Sequence, residues 1–172
     1  MKTLTKVALL TTTIALAACA KSPFDRNGDG AGAGANGLNN GGISSSSLDP
    51  SSPAYFNETI GDKVLFAVDQ STLGDEARAT LTQQAGWLSN NANYTAIIEG
   101  HADEQGTREY NLALGARRAS AARDFLVANG VADNRLRTVT FGKERPLAVC
   151  STEECYAKNR RAVTVISAGL GS

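Results

Sequence analysis

The sequence predicts an α/β (α+β) domain, a two-layer sandwich in which helices pack on a mixed sheet in βαβαββ order. Two observations predict it. Short runs rich in β-branched and aromatic residues alternate with longer segments whose apolar residues recur at helical spacing. The first fifty or so residues hold a leader-like segment and a Gly/Asn/Ser-rich stretch, which leaves length for one ordinary domain. No period of roughly 20–50 residues recurs, which argues against a solenoid or propeller.

The chain opens on a targeting segment, residues 1–18. Lys2 and Lys6 lie beside an apolar run, Val7 to Ala18, too short for the roughly 20 residues a bilayer span needs. It ends Leu16-Ala17-Ala18-Cys19, and small residues before a Cys resemble the bacterial lipobox. Cleavage before Cys19 and acylation of that thiol are therefore expected. Each buried CH₂ of an acyl chain adds about 0.8 kcal/mol, so a multiply acylated Cys19 is a lasting anchor. Ala20 follows the Cys, and by resemblance to lipoprotein sorting rules this favours the outer membrane, with the domain facing the periplasm.

Residues 19–55 form the expected tether and 56–172 the expected domain. The tether holds almost no large apolar residue, so it cannot bury enough surface to offset ordering entropy. A flexible linker of about 40 residues has an r.m.s. reach of about 35 Å. Asp25 to Gly30 mimics the first half of a calcium loop, but Asn36 stands where the closing Glu belongs.

Residues 62–68 predict the first strand. Leu73, Ala77, Leu81, Gln84, Ala85 and Leu88 predict an amphipathic helix over 73–89, with Trp87 at the edge of its stripe. Asn90 to Asn93 breaks it. Residues 94–100 give the second strand. Thr107 caps a second helix, with Glu109 in its first turn, Asn129-Gly130 at its end, and Tyr110, Leu114, Ala121, Ala122, Phe125 and Leu126 on its buried face. Residues 135–141 and 161–167 give the last two strands.

Composition narrows the function. Seventeen basic residues balance seventeen acidic ones, and without Lys2 and Lys6 fifteen face seventeen. A near-neutral chain without a basic cluster gives no electrostatic case for nucleic acid. One His, no outstanding nucleophile and no metal-ligand spacing leave a hydrolase as the rival reading, without visible machinery.

The most informative stretch runs from Glu99 to Arg118. A strand delivers Asp103 into a polar turn, and the following helix presents Arg117 and Arg118. One carboxylate and one guanidinium suit a zwitterion, and the planar Arg fork can hold a carboxylate bidentately.

The run GHADEQGTREYNLALGARRA resembles the peptidoglycan-binding motif of outer-membrane-protein-A-like domains. Val64-Leu65-Phe66 leading to Asp69, then Phe141 to Pro146, then Lys158 to Val163 match in order, so the resemblance covers about residues 60–167. It implies a non-enzymatic module that captures the diaminopimelate residue of peptidoglycan stem peptides. Asp103 would take the ammonium and Arg118 the carboxylate. The turn from Phe66 to Gln70, with Phe66 and Asp69, would receive a carboxylate on backbone amides; Ala67 departs from an acidic residue common there. Asn111, Leu114 and Arg161 are weaker candidates for the pocket wall, and Leu114 reads equally as core. Both Asp103 and Arg118 are expected to serve the ligand rather than the core. The resemblance further implies a β-propeller partner from the Tol translocation system, acting in envelope constriction at division, and no cofactor. A barrel protein's periplasmic end would need many alternating strands, and a flagellar stator a transmembrane helix; the sequence shows neither pattern. With Cys19 acylated, Cys150 and Cys155 remain as a pair in an oxidising compartment and are expected to form a disulfide, which requires the chain to turn between them.

Overall fold

A computed structural model describes residues 49–169. The leader, Cys19, the half calcium loop and most of the tether lie outside the described residues.

The ordered body begins earlier than residue 56. Asp49 to Ser52 form a turn, and Ser52 Oγ accepts from the amide of Tyr55 at 3.1 Å, capping a short helix, α1 (Pro53–Tyr55). This runs into a π-helical turn, Phe56–Gly61. Phe56 is buried against Trp87, with ring centroids 5.0 Å apart, and Trp87 Nε1 donates to Pro50 O at 2.7 Å. Trp87 is thus buried beneath the N-terminal segment. The helical signal there was hidden by the polar composition on either side of Phe56.

The first strand is shorter than expected: β1 is Lys63–Leu65, and residues from Phe66 onward turn away. Helix α2 (Asp75–Asn90) starts with Asp75 and Glu76 at the positive end of its dipole. It buries Ala77, Leu81, Gln84, Ala85 and Leu88, the predicted stripe. Strand β2 (Tyr94–His101) follows, then helix α3 (Arg108–Ala128), capped by Thr107 Oγ1 accepting from the amide of Tyr110 at 3.2 Å. A 3₁₀ turn (Asp133–Arg135) leads into β3 (Leu136–Gly142). A helix not foreseen, α4 (Glu153–Asn159), precedes β4 (Arg161–Ala168).

The sheet order is β1-β4-β2-β3. β4 runs antiparallel to both neighbours, while β2 and β3 are parallel, so α3 is their crossover. The alternation along each strand sorts residues between two faces. Ala96, Ile98 and Ala162 join Leu81, Leu88, Ala119, Ala122 and Leu126 in the core under the helices. On the opposite, open face Leu65, Val139 and Val165 are exposed.

One close approach sets the position of α3. A Cβ on Gly100 would stand 1.9 Å from Gly115 O, so two glycines let helix and strand backbones touch. Arg118, about one turn beyond Gly115, is thereby brought over the end of β2.

Candidate functional site: a charged cavity beyond the strand ends

Arg118 lies on the inward face of α3 and is fully buried. Its Nε donates to Gln70 O at 2.8 Å, Nη1 to His101 O at 2.8 Å and Nη2 to Ala67 O at 3.2 Å. The guanidinium carbon lies 5.2 Å from the centroid of the Phe66 ring, a cation–π contact. Burial pushes its pKa down to about 10, opposed chiefly by the charge of Asp103, so Arg118 remains a cation at neutral pH. A guanidinium has five N–H groups, so one on each terminal nitrogen is left beyond these three bonds.

This side chain ties the turn 66–70 to His101 at the end of β2, from which the loop 102–107 departs. Between turn and loop lies a cavity of about 450 Å³, lined by Val68, Asp69, Asp103, Gln105, Gly106, Tyr110, Asn111 and Leu114. Asp103 is largely buried, and its Oδ2 accepts from Arg160 Nη1 at 3.2 Å. Asp69 adopts a left-handed backbone, φ 58°, unusual for a residue with a Cβ. Its carboxylate accepts from the Tyr110 hydroxyl across the cavity, a bond that raises the pKa of that phenol. Asn111 is buried and donates from Nδ2 to Gln105 O at 2.6 Å, which leaves its Oδ1 without a protein partner. Two carboxylates, two guanidiniums, a phenol and an amide thus converge at one end of the sheet.

The structure brings Asp103, Asp69 and Asn111 to the cavity wall, while Arg118 and Phe66 are buried against each other and do not line it. Arg161 does not join them. It donates to Asn159 O and Arg145 O at 3.3 and 3.2 Å, away from the cavity lining. Leu114 is buried and lines the cavity without joining the main core cluster. In the turn after β1 it is the carbonyls of Ala67 and Gln70 that face inward, held by Arg118.

Two residues were read differently from the sequence. Tyr110 was expected on the buried face of α3, yet it is 43 % exposed and spans the cavity. The inward stripe runs instead through Asn111, Leu114, Gly115, Arg118, Ala119 and Ala122. An apolar periodicity cannot register a stripe that contains Asn and Arg. Arg160 had no signal of its own beside Arg161, and only its contacts single it out.

His101 lies on the other side of β2. Its ring packs 5.5 Å from that of Phe141, which Arg145 covers. Burial, then the charges of Arg161 and Arg145, hold its pKa down to about 4, so the imidazole is neutral. No group of three or more potential metal ligands occurs among the described residues.

Residues 65–160 match the OmpA family. The chain belongs to that family. Among curated proteins it is 49 % identical over 166 residues to the "Peptidoglycan-associated lipoprotein" of Rhizobium meliloti (strain 1021), covering 95 % of this chain and 87 % of that one. It is 50 % identical over 159 residues to the protein of the same name from Mesorhizobium japonicum, covering 92 % and 89 %. Among solved structures, the peptidoglycan-associated lipoprotein from Burkholderia pseudomallei superposes with a TM-score of 0.64 at 37 % identity, over 69 % of this chain and 100 % of that one. The C-terminal domain of Helicobacter pylori MotB shares the fold, at a TM-score of 0.59 and 20 % identity, over 63 % of this chain and 86 % of that one. This OmpA-family domain thus has the mixed four-stranded sheet and helical layer that its sequence predicts.

Proposed function

We propose that the protein is an outer-membrane lipoprotein that holds the membrane to the cell wall by non-covalent capture of peptidoglycan stem peptides. The observation that supports this reading is a cavity wall that carries Asp103, beside a turn, 66–70, whose carbonyls the buried guanidinium of Arg118 holds. Asp103 has Oδ1 beyond its bond to Arg160, positioned for an ammonium. Arg118 supplies fixed positive charge under the turn 66–70, where a carboxylate would settle. A diaminopimelate centre offers both groups on one carbon. A zwitterion adds no net charge to a site whose own charges are already nearly balanced, and that keeps its desolvation tolerable.

The relatives' shared name, peptidoglycan-associated lipoprotein, supports the reading. Acylation at Cys19 and a flexible tether would let the domain search the wall from the outer membrane, facing the periplasm. A β-propeller protein of the Tol system is the proposed partner during envelope constriction at division.

The test is co-sedimentation of full-length protein with purified sacculi. Wild type should pellet with them and Asp103→Ala should not, since truncating one partner of a desolvated charge pair costs about 2–5 kcal/mol, roughly 30-fold or more. An Asp103→Ala protein that pellets like wild type removes the site from the reading. Intact mass of membrane-extracted protein checks the anchor: residues 1–18 should be absent and Cys19 should carry acyl mass.

A further inference from the structure

Behind Asp103 lies a second layer of buried polar contacts. Asn159 is fully buried and uses its whole amide. Its Oδ1 accepts from the amides of Leu147 and Ala148 at 2.7 and 3.0 Å, and its Nδ2 donates to Glu104 Oε1 at 2.6 Å and Ala148 O at 2.8 Å. Arg160, the next residue, is also buried. Its Nε donates to Phe66 O at 3.3 Å, its Nη1 to Asp103 Oδ2 at 3.2 Å, and its Nη2 to the carboxylate of Glu153. Its own carbonyl accepts from the amide of Phe66 at 2.9 Å. Two consecutive residues therefore fasten both cavity walls, the turn after β1 and the loop after β2, to a third segment, 147–153. That segment is closed by a disulfide between Cys150 and Cys155, whose Cα atoms are 5.8 Å apart. Cys155 sits in the first turn of α4 with Glu153.

We infer that Asn159 and Arg160 are positioning residues for Asp103, and that the disulfide-closed loop 147–155 is the anchor that holds them. The inference rests on the reading of Asp103 as a ligand contact. The loop after β2 keeps one ladder-like bond, Ala102 amide to Gly142 O at 2.8 Å, and then leaves the sheet. Beyond that point Lys143 and Asn111 hold the loop's carbonyls at Glu104, Gly106 and Gln105, while Arg160 holds one oxygen of the Asp103 carboxylate and Asn159 the Glu104 side chain. Arg160 reaches from Phe66 O on one wall to Asp103 Oδ2 on the other, so the carboxylate is oriented from a fixed point. A site held in its binding geometry loses less entropy on association. Glu153 holds the far side of the Arg160 fork. Its side chain is 67 % exposed, so that ion pair is weak by itself. Closing the loop at Cys150–Cys155 restricts where Glu153 can go, which reduces the entropy cost of the pair.

The experiment is titration calorimetry of full-length protein in detergent with a synthetic stem peptide containing diaminopimelate, with a thermal melt of each variant. Arg160→Ala should weaken binding about tenfold, the scale for losing a group that orients a contact residue. Arg160→Lys, which keeps the charge without the fork, is the variant to use if Arg160→Ala does not fold, and should still weaken binding. Cys150→Ser with Cys155→Ser should weaken it about threefold, the size an exposed ion pair can carry. The discriminating readout is coupling. If Arg160 acts through Asp103, either Arg160 substitution in an Asp103→Ala background should cost nothing further, whereas a merely structural role would add its loss. The inference is overturned if Asp103→Ala loses binding while the Arg160 variants bind like wild type, or if the double variant is additive. If Asp103→Ala itself binds like wild type, the ligand reading has failed, and that single control identifies it as the cause.

Discussion

Arg118→Ala should unfold the domain at a markedly lower temperature, in contrast to the sequence expectation that this residue serves the ligand and not the core. The perturbation removes a buried guanidinium and its bonds to three backbone carbonyls; Ala67 O still accepts from the Gln70 amide at 3.2 Å, while those of Gln70 and His101 lose the donor that Arg118 gave them. A buried carbonyl left without a donor costs about 1–3 kcal/mol, so two of them amount to about 2–6 kcal/mol. Two effects pull against each other around that figure. Removing the charge also removes its own desolvation penalty, visible in the depressed pKa of about 10. Against that, the truncated stem leaves a void beside Phe66 that the surroundings fill only in part. A net loss of about 3–4 kcal/mol follows, and for a domain of this size each kcal/mol lowers the melting temperature by about 3–5 °C. The drop should therefore be about 9–20 °C, read by circular dichroism or scanning fluorimetry. Arg118→Lys should recover only part, because three donors on one nitrogen cannot span three carbonyls held by three points of a fork. Binding to sacculi must then be measured well below the lowered midpoint, so that loss of contact is separated from loss of fold. An Arg118→Ala protein that melts within a degree or two of wild type would refute the reasoning, since it would mean the three carbonyl bonds contribute nothing net.

Two further outcomes follow from the sheet. His101 holds its proton only below about pH 4 in the folded state and near 6.5 when unfolded, so between those values the unfolded chain binds more protons. Stability should fall as pH drops from 6.5 towards 4, by at most about 3 kcal/mol, and denaturant titrations across that range should show a flatter profile for His101→Gln; equal slopes in the two proteins would contradict the assignment. Gly100→Ala should abolish accumulation of folded protein, because its Cβ would stand 1.9 Å from Gly115 O, backbone that cannot step aside without moving α3. A soluble Gly100→Ala variant with a normal melt would show that the helix can lift off the strand.

The fold was legible wherever burial and apolarity coincide. The stripe from Ala77 to Leu88 predicted α2, and the β-branched runs predicted β2 and β4 to within a residue or two. The elements that went unseen are those stabilised by tertiary contact rather than by local pattern. The helical segment from Pro53 to Gly61 depends on Phe56 reaching Trp87, and α4 is seven residues of mostly polar sequence tied down by a disulfide and by Asn159. Phe56 and Trp87 are far apart in sequence, and Asn159 reaches Leu147 and Glu104, 12 and 55 residues away, so these contacts leave no periodic signal.

The sequence singles out Asp103 and Arg118 without showing what each one touches. From the sequence, Asp103 and Arg118 form a matched pair of charges, one for each half of a zwitterion. The structure separates them. Asp103 stands at the cavity wall with one oxygen pinned and one left, whereas Arg118 is an internal brace whose three bonds hold the loops that shape the cavity. A family motif marks the position of a residue without saying whether it faces outward, and an Arg on a helix reads as polar whichever way it points. The misread of Tyr110 has the same origin. An aromatic at the start of an amphipathic helix is assigned inward by hydrophobicity, yet Asn111 and Arg118 had already taken the inward stripe, because their hydrogen bonds are to backbone carbonyls that only the folded loops provide. With those positions taken, Tyr110 is turned to the cavity mouth, where its hydroxyl meets Asp69 on the opposite loop. The polar residues that build this site are therefore the same ones that set the rotation of α3, and a substitution at either Asn111 or Arg118 should be read first as a change in how that helix sits.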